Sequence, residues 1–101
     1  MRIQIYSDLH LEHRPFAPPA VRADLVVLAG DIANGAAGIE WAKRAFSAPV
    51  VYLAGNHEYY EGEFDSVQKS LRDAARLSAE RLLQCRVLVL LGVRLLGCTL
   101  R

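Results

Sequence analysis

An α/β fold, with a parallel or mixed sheet flanked by helices, is what this sequence predicts, and three observations carry the prediction. Two short apolar runs, "ADLVVLAG" (23–30) and "PVVYLAG" (49–55), are continuous rather than alternating, as in strands buried on both faces. Stretches of helical composition follow both runs, so strand and helix alternate as they do in βαβ units. The first three strands also end in polar residues, and a parallel sheet gathers such exits along one edge.

The elements follow in order. Residues 2–6, "RIQIY", alternate and are β-rich, so they form a strand that ends at Ser7. The segment from Leu9 to Ala20 holds Pro15, Pro18 and Pro19 and is a loop. After the second strand and Asn34-Gly35, "AAGIEWAKRAF" (36–46) is a helix that stops before Pro49. The third strand is followed by a longer helix, from about Phe64 to Leu83. Its residues Phe64, Val67, Leu71, Ala74, Ala75 and Leu82 recur at the helical period, while Lys69, Arg72, Asp73 and Arg76 fall mostly on the other side. "CRVLVLLGVRLLGCTL" (85–100) is either two strands joined by a tight turn at Leu91-Gly92 or one bulged strand. The order is β, β, α, β, α, β, β, with no repeat and no linker.

Length and composition narrow the function. A chain of 101 residues is one domain at most. Twelve Lys and Arg stand against 11 Asp and Glu, for a net charge of +1, so no global field draws the chain to nucleic acid or to an anionic membrane. Cys85 and Cys98 fit neither a zinc nor a redox spacing and are expected as two buried thiols in a reducing cytoplasm. The longest apolar stretch is broken by Gly92 and Arg94 and is too short to span a bilayer. Met1 leads straight into a strand with no leader pattern, so the expected location is cytoplasmic, with no membrane partner.

The chemistry lies at the strand exits. The first ends in "SDLH", with Asp8 and His10; the second in "AGD", with Asp31; the third in "AGNHE", with Asn56, His57 and Glu58. If the backbone stays extended, Asp8 and His10 project to the same side. Gly30 and Gly55 permit a sharp turn just before the later candidates. Two carboxylates, an imidazole and an amide oxygen, without a thiolate, suit Mn, Fe, Zn or Mg. Asp31, central in strand order and with two oxygens, is the natural bridging ligand. His57 is either an acid near a leaving group or a turn residue.

Taken together, "SDLH", "AGDIANG" and "AGNHE" resemble the calcineurin-like metallophosphoesterase family, whose signature runs D-x-H, G-D, G-N-H-[DE], a lone His, then G-H-x-H. The resemblance covers nearly the whole chain. It implies the N-terminal half of a four-layer α/β-β/α sandwich and hydrolysis of phosphomono- or diesters through a hydroxide bridging two divalent metals. Asp8 and His10 would then ligate the first metal, Asp31 would bridge both and Asn56 would ligate the second. His57 would stabilise or protonate the leaving group, and Glu58 would help orient the neighbouring histidine. His13 reads as a surface residue and Trp41 as core, whereas Tyr59 and Tyr60 suit either a substrate contact or packing.

The lone His and G-H-x-H are absent, because no histidine follows His57. The first metal would keep Asp8, His10 and Asp31, and the second only Asp31 and Asn56. The chain is therefore read as the N-terminal part of a longer enzyme, a single truncated domain over residues 1–101, holding one metal or none by itself. An unfinished sheet edge would be covered by a second copy or by element exchange. The alternative from a different class is a catalytically incomplete scaffold that keeps the motif. A Rossmann-type nucleotide binder is disfavoured, since no G-x-G-x-x-G follows the first strand. The substrate's identity is not encoded in these motifs.

Overall fold

The computed structural model describes residues 1–59, 63–76, 81–82, 86–90 and 92–98. Four strands, β1 (Ile3–Tyr6), β2 (Leu25–Ala29), β3 (Val50–Leu53) and β4 (Arg81–Leu82), form one sheet in the order β1-β2-β3-β4. All its pairings are parallel, with Ile3 opposite Leu25, Val26 opposite Val50 and Tyr52 opposite Leu82. Helix α1 (Ala37–Ala45) connects β2 to β3, and α2 (Phe64–Arg76) follows β3. Strands β5 (Arg86–Leu90) and β6 (Val93–Gly97) form a separate antiparallel hairpin. Leu90 pairs with Val93 at the closed end of the hairpin, and Gly92 lies in the turn. Of the two sequence alternatives for this stretch, the hairpin is therefore the one adopted.

The central strands are as buried as their apolar runs imply. Leu25, Val26 and Leu28 of β2 and Val50, Val51 and Tyr52 of β3 are all within 2% of full burial. One face of the sheet, carrying Val26, Leu28, Val50 and Tyr52, packs on Ile39 and Ala42 of α1 and on Val67 and Leu71 of α2. On the other face, Leu25 and Val51 meet Val27, Leu53 and Leu95 of β6. Ile3 and Ile5 of β1 share this second face by register and stay exposed. Both helices thus lie on one side, not one on each. The strand order never reverses, and right-handed crossovers that always step in the same direction stack their helices on the same face.

Two further expectations are corrected. The long helix was expected to reach Leu83, but it ends at Arg76, and Arg81–Leu82 pair instead with Val51 and Tyr52. Leu82 falls on the helical period, yet the open edge of β3 offers it backbone pairing, which outweighs local propensity. Cys98 is exposed and disulfide-bonded, not a buried thiol; Cys85 lies outside the described residues. No described helix is long and apolar enough to cross a membrane.

Candidate metal centre

The exits of β1, β2 and β3 lie side by side because the parallel register continues past the strands. The Asp8 amide donates to Gly30 O at 3.0 Å, His10 N to Asp31 O at 3.1 Å and Leu11 N to Ile32 O at 2.8 Å. The β1 exit therefore runs alongside the β2 exit for several residues, tied by main-chain bonds.

Along this seam the backbone is left-handed at the residues that matter. Asp8, His10 and Asp31 have φ of 55°, 49° and 56°. Asp and His tolerate this region better than most residues. Each still carries roughly 1–3 kcal/mol of strain that the surrounding bonds must hold. The extended backbone expected between Asp8 and His10 is therefore not what forms. Their side chains converge all the same, with His10 Nε2 3.7 Å from Asp8 Oδ1, because left-handed turns at both residues fold them toward each other.

The β3 exit is fastened to the β2 exit by Glu58, which is fully buried. Its Oε1 accepts from Gly55 N at 2.7 Å and Asp31 N at 3.0 Å. Its Oε2 accepts from Ile32 N at 2.9 Å, Tyr52 Oη at 2.9 Å and Ala33 N at 3.4 Å. A buried carboxylate is tolerable only with such a set of donors. The resemblance points Glu58 at the neighbouring histidine; these bonds shape the Asp31 turn. Burial pushes the Tyr52 hydroxyl well above its usual value near 10, and the adjacent Glu58 carboxylate pushes it further. Asp31 in turn accepts the His57 amide on Oδ1 at 2.8 Å, so it also fixes the start of the single turn of 3-10 helix at His57–Tyr59.

Gly55 makes this approach possible. A Cβ on it would fall onto Asp31 Oδ1 and lie 2.7 Å from Asp31 N.

Asp8, His10 and Asp31 each offer a donor atom, and the three lie within 4.8 Å of one another. Two carboxylate oxygens and an imidazole nitrogen form a set that Mn, Fe, Zn or Mg accept, so these residues fit a divalent cation. Asn56 stands at the same edge, exposed, between Gly55 and His57, and its backbone carbonyl accepts the Tyr59 amide at 3.1 Å. His13 is exposed, with its ring 6.1 Å from that of His10. Tyr59 packs on the core, and Tyr60 lies outside the described residues.

One residue here has no role in the sequence reading. Glu12 places Oε1 3.0 Å from His57 Nδ1 and 3.5 Å from His10 Nδ1, and His10, Glu12 and His57 form a second group with donor atoms within 4.8 Å. The two rings meet edge to face at 4.2 Å. Burial pushes the Glu12 carboxyl up, but bonds from its own backbone, His57 and His10 and the charge of His13 outweigh it and hold the group below its usual value. The alternation Asp8, His10, Glu12 was the available signal.

A sequence model described as calcineurin-like phosphoesterase matches residues 1–93 of the 101. No curated protein and no solved structure matches the chain. With a match over nearly its whole length, the chain belongs to the calcineurin-like phosphoesterase family.

Proposed function

We propose that this chain hydrolyses phosphomono- or diesters at the carboxyl edge of its sheet. Asp8, His10 and Asp31 hold one divalent cation, and Asp31 with Asn56 takes part in holding a second. The observation that carries the reading is the convergence of the Asp8, His10 and Asp31 donor atoms within 4.8 Å. Bound cations would supply Lewis-acid stabilisation of the phosphate and a more acidic water.

The chain's own residues do the rest. His10 Nε2 faces Asp8 at 3.7 Å, and the Glu12 carboxylate, 3.5 Å from Nδ1, acts on this ring through its charge. The same carboxylate on His57 Nδ1 orients that ring to deliver a proton from Nε2 to the leaving oxygen. Glu58 keeps the Asp31 turn in its left-handed form by binding the amides of Asp31 and Ile32.

The test is Mn²⁺-dependent turnover of bis-p-nitrophenyl phosphate by the full chain, with bound Mn²⁺ counted by calorimetry. Asp31→Asn should lower turnover by about 100-fold or more, and Glu12→Gln by about 10- to 100-fold. Turnover that persists in Asp31→Asn would sink the proposal. Mn²⁺ bound without turnover would favour the non-catalytic scaffold instead.

A further inference from the structure

His10, Glu12 and His57 converge next to the Asp8–His10–Asp31 set, and proton delivery by His57 accounts for only part of their arrangement. Glu12 Oε1 lies 3.0 Å from His57 Nδ1, a hydrogen bond that needs no cation. The other half has no such explanation. His10 Nδ1 is 3.5 Å from the same oxygen, is buried, and makes no hydrogen bond. Leaving a buried ring nitrogen unsatisfied is costly. The left-handed backbone at His10, tied to Asp31 O through its amide, nevertheless holds the ring in this place.

The spacing is that of ligands around one cation. Donors bound at about 2.0–2.2 Å to a four-coordinate ion stand about 3.3–3.6 Å from one another. The two Nδ1–Oε1 distances, 3.0 and 3.5 Å, fall close to that separation. All three side chains are half-buried, so the group is sheltered yet open to an entering ion. Such an ion displaces the proton that His57 Nδ1 shares with Glu12, releasing it to solvent, and takes the His10 Nδ1 lone pair as well.

The donor set also selects the ion. Two imidazole nitrogens and one carboxylate oxygen are softer than the two carboxylates and one imidazole of Asp8, Asp31 and His10. They favour Zn²⁺, Co²⁺ or Ni²⁺ over Mn²⁺ or Mg²⁺. Three protein ligands leave a fourth position for water. His10 belongs to both sets, but through opposite nitrogens, with Nε2 facing Asp8 at 3.7 Å and Nδ1 facing Glu12. A neutral imidazole has only one nitrogen free of a proton. It therefore serves one cation at a time.

We propose that His10 Nδ1, Glu12 and His57 Nδ1 form a binding site for a divalent cation of the Zn²⁺ class, exclusive of the Asp8–His10–Asp31 set. The exclusion rests on the metal-binding part of the phosphoesterase reading; binding at the new site does not.

Co²⁺ is the probe, because four-coordinate Co²⁺ absorbs strongly in the visible and six-coordinate Co²⁺ only weakly. The metal-free full chain is titrated with Co²⁺ and then with Zn²⁺. A strong visible band should saturate at one Co²⁺ per chain, and Zn²⁺ should bleach it. His57→Gln should weaken Co²⁺ by more than about 100-fold, since it removes a ligand and not merely a residue that orients one. Glu12→Gln should do likewise and serves if His57→Gln does not fold. Asp8→Asn should leave the band in place. Excess Mn²⁺ should move the Co²⁺ titration to higher concentration in the wild type but not in Asp8→Asn. A wild-type titration that Mn²⁺ does not move overturns the exclusive use of His10. A weak six-coordinate spectrum, or a band that Asp8→Asn abolishes and His57→Gln leaves intact, overturns the site even if ester hydrolysis is found. A strong band governed by Glu12 and His57, in a chain without Mn²⁺-dependent turnover, upholds the site and removes the phosphoesterase reading.

Discussion

Glu58 controls the site without touching the group that would react. Its carboxylate joins the amides of Asp31, Ile32, Ala33 and Gly55 to the Tyr52 hydroxyl, so two strand exits share one anchor. Removing it leaves several buried donors unsatisfied at about 1–3 kcal/mol each. Glu58→Ala should therefore cost more than about 3 kcal/mol in urea unfolding, and Tyr52→Phe about 1–3 kcal/mol. pH adds a sharper check. Tyr52 is raised well above 10 in the fold, so its contribution is fully present below pH 10 and is lost as pH climbs from there through the folded value. The Tyr52→Phe protein should lack that share of the alkaline decline, and equal declines in both proteins would refute the link. The types and order of Asp8, His10, Asp31 and Asn56 are legible in the sequence because each directly follows a readable strand. The anchoring by Glu58 is not, since three of its partners are the main-chain amides of Asp31, Ile32 and Ala33, 25 to 27 residues upstream and reached only through the parallel register.

At the scale of elements, the strand exits are shaped by close approach. Gly55 passes so near Asp31 that a single methyl group would displace the Asp31 carboxylate, which also holds the His57 amide. Gly55→Ala should thus weaken Mn²⁺ binding by about 10- to 100-fold, comparable to losing a residue that orients a ligand. It should also cost about 1–3 kcal/mol of stability from overpacking. Unchanged Mn²⁺ affinity by calorimetry would show that the turn relaxes at no functional loss. The glycine was readable as a turn; its role as a spacer between two strand exits required both exits to be in place. The same limit applies to α2, whose helical period runs on to Leu82 although Arg81–Leu82 join the sheet. Periodicity describes one segment at a time, whereas strand pairing depends on the edge that another segment exposes.

Across the whole molecule, the two faces of the sheet are unequal. One carries both helices, and the other has the Leu25, Val51 and Leu95 contacts at its centre with Ile5 64% exposed toward β1. Ile5→Ser should shift stability by no more than about 0.5 kcal/mol, as an exposed substitution does. Leu25→Ala, on the same face but fully buried, should cost about 2–5 kcal/mol. A large loss at Ile5 would mean that another surface, such as a second copy of the chain, covers this face in solution. By itself the sequence determined the strands β1 to β3, the helix after β2 and the residues at each strand exit. Those follow from local composition, apolar run length and turn chemistry, all of which act within a few residues. Only the tertiary structure decided that both helices share one face, that Glu58 anchors the Asp31 turn, that Glu12 joins the two histidines and that Asp8 and His10 converge through left-handed turns. Each of these rests on bonds between segments far apart in sequence, which exist only once the parallel register has brought them together.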